Sequence, residues 1–171
     1  MPRGLKDTSS LITIGFSLSE TGPNTFSQGQ TDLQLNPLDN EVFVVVAIDI
    51  DPELPDAITA TNTQVNCSVS TTTLTAVGNL ANTNVLATAQ NGIRAAGFVD
   101  GGVAFSKGSM ETPPAALDYI GIIATNDFFV QVVGSNNLGA KGVSGKMYGY
   151  RARASDPSVY AALVQSELLS S

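Results

Sequence analysis

The alternation of apolar and polar positions along the chain predicts mostly β-strands. The strongest strand runs from residue 41 to residue 51, and it ends in a loop because Pro52 and Pro55 cannot donate to a sheet ladder. The spacing predicts one shared apolar face on this strand, made of Val42, Val44, Val46, Ile48 and Ile50. We therefore expect a central strand whose far end reaches water.

The second half of the chain carries further strand patterns. Residues 119–124 and 128–133 flank a short polar turn, so they are predicted to form a hairpin. In the last strand, residues 143–153, Met147, Gly149 and Arg151 share one face, while Tyr148 and Tyr150 lie on the other. Short strands separated by Asn/Gly turns are typical of a sandwich or a barrel.

One helix is predicted, at the end of the chain. Asp156 and Pro157 form a capping position followed by a proline at the first helical position. Tyr160, Leu163 and Val164 then recur at helical spacing, so the helix is expected to bury one side.

About eight strands and one helix, without alternating βαβ units, predict a mainly β protein. The expected fold is an antiparallel β-sandwich of jelly-roll type with an extended N-terminal arm and a short C-terminal helix. The predicted organisation is an arm over residues 1–40, a sandwich over 41–154, and a helix over 155–171 that packs on the sandwich or on a neighbour.

Composition narrows the chemistry. The 171 residues carry 15 acidic and 8 basic side chains, a net charge of −7, which disfavours nucleic-acid binding. The absence of histidine and the single cysteine remove the commonest nucleophile systems and zinc sites, so no enzymatic activity is expected. The longest apolar run is too short to span a bilayer, and no apolar signal segment opens the chain, so synthesis in a cytoplasm is expected.

Four carboxylates occur within eight residues where the strongest strand ends. They are Asp49, Asp51, Glu53 and Asp56. Alternate carboxylates can converge on a hard cation, so calcium is the candidate cofactor. Two other interpretations stay open: a solvated acidic loop, and a contact with a basic patch on a neighbouring subunit.

Charge is unevenly distributed along the chain. Residues 7–93 hold nine acidic side chains and no Lys or Arg. Four cations then concentrate on the last strand and its approach: Lys141, Lys146, Arg151 and Arg153. An acidic and a basic patch on one molecule favour head-to-tail contacts between copies, and pairing within the chain is the equal alternative.

Two apolar segments are predicted to contact neighbouring subunits. In the N-terminal arm the candidates are Leu11, Ile12, Ile14 and Phe16, through strand addition. In the terminal helix they are Tyr160 and Leu163.

Residues 118–133, 142–153 and 160–167 resemble virion shell proteins of environmental, marine-type viruses. The resemblance implies a self-assembling capsid or coat subunit of jelly-roll type, located in the virion and made in the host cytoplasm. Its implied partners are copies of itself and other virion proteins, as a main shell subunit or as a minor or decoration protein. Only Arg3 and Lys6 are basic near the start, which argues against direct neutralisation of a genome. The alternative function is a β-sandwich binding module with a calcium-dependent acidic loop.

Overall fold

The computed structural model describes residues 3–97, 102–108 and 117–169. These residues form ten strands and one α-helix, and a short 3-10 helix (Pro37–Asp39) connects the third strand to the fourth. In chain order the elements are β1 (Leu5–Asp7), β2 (Ile12–Ser19), β3 (Ser27–Asp32), β4 (Glu41–Pro52), β5 (Thr63–Ser70), β6 (Val85–Arg94), β7 (Val103–Gly108), β8 (Gly121–Ile123), β9 (Asp127–Ser135), β10 (Gly142–Ala154) and α1 (Pro157–Leu169).

The strands form two antiparallel sheets in the order of a jelly roll. Sheet A has the order β1-β10-β4-β8, with β2 also paired to β10, and sheet B has the order β3-β9-β5-β6-β7. When β1 and β7 are set aside, eight strands remain, from β2 to β10. One sheet then has the order β2-β10-β4-β8, which are the first, eighth, third and sixth of these eight strands. The other sheet has the order β3-β9-β5-β6, which are the second, seventh, fourth and fifth. This strand order is the double Greek key of a jelly roll. The predicted fold class is confirmed.

The N-terminal segment is extended, as predicted, but it belongs to the sandwich and is not a free arm. β1 and β2 pair with β10, and β3 pairs with β9, so this segment supplies strands to both sheets. The predicted boundary at residue 40 therefore separates no structural unit. The physical reason is that this segment has too few apolar residues for a core of its own, yet their period-two spacing suits a strand beside β10.

The main core lies between the two sheets. Its largest fully buried side chains include Phe43, Phe128, Ile48, Ile123 and Met147. The ring of Phe16 meets the ring of Phe128 edge-on, with centroids 5.8 Å apart and an interplanar angle of 78°. Full burial of such side chains contributes about 1.5–3 kcal/mol each, so this layer is the main source of stability.

A β-bulge in β4 divides the strand between two cores. The register with β10 shifts between Tyr148 and Gly149, where Val46 is the extra residue. Before the bulge Val42 and Val44 face outward, whereas Ile48, beyond it, faces into the sandwich. The prediction of one shared face from residue 42 to residue 50 is wrong, because an inserted residue reverses the alternation.

The helix α1 covers the outward valines of β4. Tyr160, Leu163 and Val164 pack against the cluster that contains Val42 and Val44. The predicted cap is present: the carboxylate Oδ1 of Asp156 accepts a hydrogen bond from the Val159 N–H at 3.0 Å. The helix therefore docks on its own sandwich.

The predicted hairpin around residues 125–127 is wrong. β8 pairs with β4 in sheet A, whereas β9 pairs with β3 and β5 in sheet B. The turn between them crosses from one sheet to the other. Sequence alternation identifies strands, but it does not distinguish a hairpin from a connection between two layers.

Candidate functional site

Three loops meet at one end of the sandwich, which we call the loop end: residues 20–26, 53–62 and 136–141. Glu20, only 5% exposed, ties parts of this end together. Its Oε2 accepts hydrogen bonds from the backbone N–H groups of Thr25 (2.8 Å) and Gly134 (3.0 Å), and its Oε1 accepts one from the backbone N–H of Lys141 (2.8 Å). Charge-assisted bonds of this kind are stronger than neutral ones, so Glu20 fixes three chain segments relative to one another.

Sequence analysis missed Glu20. The one available signal was its isolation, since it is the only charged side chain between Asp7 and Asp32 and it precedes a Thr-Gly-Pro turn. A lone carboxylate in a neutral turn is a candidate acceptor for backbone N–H groups.

Asp56 forms the second junction of the loop end. Its Oδ1 lies 2.8 Å from the Nζ of Lys141, and its Oδ2 accepts from the N–H groups of Leu138 (2.8 Å) and Gly139 (3.2 Å). The hydrogen bond from Lys141 and the backbone bond from Leu138 lower the pKa of Asp56 below its ordinary value of 3.8, against a smaller opposing effect of desolvation. Asn137 adds a further tie, because its Oδ1 accepts from the Asp56 N–H at 2.9 Å.

Two large apolar side chains project from the loop end. Leu54 is 71% exposed and Leu138 is 79% exposed. Leu138 sits on a segment held by Asp56, so its position is set by hydrogen bonds and not by burial. An exposed leucine on a backbone that is already held presents an apolar surface whose contact costs side-chain ordering but little backbone ordering.

The four predicted calcium ligands do not converge. Among the residues that the structure describes, no group of three or more carboxylate, cysteine or histidine side chains is arranged to hold a metal ion. Asp56 is engaged by Lys141 and two N–H groups, and Glu53 accepts from the Gly142 N–H at 3.0 Å. Asp49 and Asp51 lie along β4, where Lys146 of β10 is the register partner of Asp49.

Asp49, Asp51 and Lys146 instead line a shallow depression of about 330 Å³ on the outer face of sheet A, with Ser144 and Tyr148 beside them. In this depression the acidic side chains of β4 lie beside the Lys146 ammonium of β10. The arrangement agrees with the solvated alternative for these two acidic residues more closely than with a shared cation.

Most of the predicted intermolecular cations pair within the chain. Lys141 pairs with Asp56, Arg151 lies 2.8 Å from Glu41, and Arg153 lies 3.7 Å from Asp39. Arg151 also donates to the carbonyl oxygens of Leu33 and Gln34, so its guanidinium fastens the loop between β3 and β4. The alternative of pairing within the chain is therefore observed for these three cations, and Lys146 remains on the outer face of sheet A.

The predicted apolar contact residues also separate into two groups. Phe16 is buried in the core, with Ile12 and Ile14 partly buried against it, and Tyr160 and Leu163 pack on sheet A, so these side chains contact their own sandwich. Their spacing marked an apolar face, and the nearest apolar surface is within the same chain. Leu11 is 62% exposed, so its side chain is still accessible for the predicted contact with a neighbouring subunit.

The loop over residues 71–84 covers part of the outer face of sheet B. Beneath it, the Gln131 amide is fully buried between Ser68 Oγ (2.6 Å), Ser70 Oγ (2.8 Å) and Gln28 Oε1 (2.8 Å). The Gly78 N–H of the loop donates to Ser68 Oγ at 3.1 Å. A fully bonded polar network of this kind specifies how the loop lies on the sheet.

A groove of about 290 Å³ opens beside that loop, between Val77 to Leu80 and the strand residues Asn66, Thr88 and Gln90. The Oδ1 atom of Asn66 is buried and is the one buried side-chain polar atom of the described residues that lacks a hydrogen-bond partner. The lining carries no charged side chain.

We expect acid to weaken the loop end through Asp56. Because the folded pKa of Asp56 lies below 3.8, the unfolded chain takes up this proton first as the pH falls. The stabilising contribution is complete above pH 3.8 and is lost as the pH drops through the folded pKa. Urea unfolding at neutral pH and at pH 3 or so should show a smaller acid loss for Asp56→Asn than for the wild type.

Asp49→Asn is the matched control for that measurement, since it makes the same chemical change outside the loop end. An Asp56→Asn variant that loses as much stability in acid as the wild type would contradict the attribution of the acid effect to Asp56.

No helix among the described residues combines the length and the apolar character needed to cross a membrane. Comparison of the chain with protein-family models, with curated proteins and with solved structures yields no significant match.

Proposed function

We propose that this protein is a virion structural subunit that self-assembles into a capsid or coat, as the main shell protein or as a minor or decoration protein. The single observation that carries the proposal is the jelly-roll strand order in one small domain. Jelly rolls are the recurrent building unit of viral shells, although lectin domains and cupins also use them. The likeness of residues 118–133, 142–153 and 160–167 to virion shell proteins points in the same direction.

The loop end supports this proposal as an assembly surface. Leu54 and Leu138 are among the most exposed large apolar side chains of the described residues. Apolar side chains at the centre of a contact and polar groups at its rim are typical of protein–protein interfaces. Because Glu20 and Asp56 fix the backbone of this end, a neighbouring subunit would meet a preformed surface.

The calcium-dependent binding module receives less support from the geometry. Asp56, one of its four ligands, already carries an ammonium and two N–H partners. A calcium ion would have to displace these contacts, which is unfavourable for a carboxylate that is already satisfied.

The purified full chain is expected to form large closed or repeating particles in sedimentation velocity and in negative-stain images. A double variant, Leu54→Ser with Leu138→Ser, should stay folded and lose these particles. Leu80→Ser is the matched control, because Leu80 is 59% exposed on the loop over sheet B, away from the loop end.

A chain that stays monomeric at every accessible concentration would overturn the proposal. The same samples distinguish the alternative: a melting temperature that rises with calcium and falls with a chelator, in a monomer, would establish the binding module instead.

A further inference from the structure

β2 is a long edge strand whose own sequence and register carry no protecting feature. It pairs with β10 on one side, and no second partner strand lies beside it among the described residues. Its register with β10 runs without a shift from Ile12 to Ser19, so no bulge twists the edge away. Its eight residues, ITIGFSLS, contain no charge and no proline. Proteins usually block such edges with lysine, proline, bulges or short strands.

The other sheet edges carry the protection that β2 lacks. β1 and β8 have three residues each, and β1 carries Lys6 and Asp7. β3 ends in Asp32, and the sequence of β7 contains Lys107. In this comparison β2 alone is long, neutral and regular.

Among the described residues, nothing gives Gly15, near the middle of β2, a steric reason to be glycine. A Cβ atom added there would meet no heavy atom within 4 Å, and its φ is not in the left-handed region. Glycine inside a strand weakens it and often marks a place where another backbone approaches closely. The open space lies on the outward side of β2, since Ile14 and Phe16, its neighbours, pack toward the core.

We propose that β2 pairs in antiparallel fashion with β2 of a second copy, around a two-fold axis at Gly15, so that sheet A continues across both subunits. The inference rests on the self-association proposed above and names the surface that carries it. A second copy fits this edge because the protein has a net charge of −7, and two like copies approach with least repulsion where neither strand is charged.

The axis at Gly15 makes the strand complementary to itself. Ile12 then lies opposite Leu18 of the second copy, Ile14 opposite Phe16, and Thr13 opposite Ser17. The apolar pairs are on the core side, while the hydroxyl pair lies on the outer face. Directly opposed pairs of these types stabilise a sheet. Ile12, Ile14 and Leu18 are only partly buried in the single subunit, and all three gain cover in this register.

Axes at Ile14 and at Phe16 are the two nearest alternatives that keep both core faces on one side. An axis at Ile14 would pair only residues 12–16 of β2 with each other. An axis at Phe16 would place Ile12 opposite Glu20 of the second copy, whose carboxylate is already occupied by three N–H groups of its own chain. The axis at Gly15 avoids this contact.

Disulfide trapping tests the register. In the proposed pair, Gly15→Cys places two thiols directly opposite each other, where Cα atoms about 4.5–5.5 Å apart fit the range of a disulfide. The native Cys67 does not interfere, because it is buried and burial raises the pKa of its thiol to about 12. The variant should oxidise to a covalent dimer on a non-reducing gel, with an unchanged circular dichroism spectrum.

Ser17→Cys is the matched control. It faces residue 13 of the second copy, so its own two thiols would be about 13 Å apart along the strands and beyond reach. We expect Gly15→Cys to cross-link at least about tenfold faster than Ser17→Cys, and a mixture of Thr13→Cys with Ser17→Cys to form the mixed dimer.

Equal rates for the two variants, or no cross-linking by either, would overturn the inference. Its failure is distinguishable from that of the proposed function. Particles from the wild type, together with no cross-linking of the Gly15→Cys variant, would leave shell assembly standing without this edge. Cross-linking of the Gly15→Cys variant, together with a wild type that never exceeds a dimer, would establish the edge and reject the shell.

Discussion

Replacing Glu20 with alanine is expected to destabilise the protein by about 3 kcal/mol, because three N–H groups at the loop end lose a charged acceptor at once. Each bond to a charged group contributes more than a neutral one, but the three share one side chain, so their energies do not add fully. Urea unfolding should show a lower midpoint with an unchanged slope.

Glu53→Ala is the control for this prediction. Glu53 is exposed and accepts from a single N–H, that of Gly142, directly beside the Lys141 N–H that Glu20 holds. Its removal should cost less than about 1 kcal/mol. Equal effects of the two substitutions would show that Glu20 does not hold the loop end as described.

The second large effect is expected at Gly149, next to the bulge. A Cβ atom there would lie 2.3 Å from the carbonyl oxygen of Val44 and 2.5 Å from the buried ring of Phe43. Neither neighbour can retreat cheaply, since one is backbone in the central ladder and the other is a fully buried side chain. We expect Gly149→Ala to destabilise the fold by about 3 kcal/mol, at the upper range for overpacking.

Gly15→Ala is the control, because both glycines are in paired strands of sheet A but only Gly149 is enclosed. Alanine at Gly15 should leave the single subunit unchanged or stabilise it by up to about 1 kcal/mol. A Gly149→Ala protein as stable as the wild type would mean that the strands can separate at the bulge at little cost.

Local patterns predicted the strands and the helix, because alternation and capping depend on neighbours in sequence. The strand over residues 41–51 and the cap at Asp156 are of this kind. The bulge at Val46 was not predictable, since it depends on a register with β10 that is chosen about a hundred residues later in the chain. A similar distance in sequence explains why the pairing of the N-terminal segment was not predicted, since its partner, β10, lies more than a hundred residues later.

The candidate surfaces were less predictable than the fold. The concentration of cations near β10 was visible in the sequence, but their partners, Glu41 and Asp56, are set by the packing of strands and loops. Glu20 was missed because its partners are backbone N–H groups, which leave no residue pattern. For β2, the sequence indicated an apolar strand, and only the sheet order shows that one of its edges is open.

The central place of β10 has a consequence for the order in which the molecule can form during synthesis. β1, β2 and β4 all pair with this strand, which is translated after the other strands of the described residues. Sheet B, by contrast, can pair β5 with β6 and then recruit β9 while β10 is still untranslated. The nascent chain must therefore keep the earlier strands of sheet A without their main partner until β10 has been translated. Contacts this distant in sequence slow folding and leave strand edges exposed in the meantime. Sheet A can therefore close only after β10 has been made.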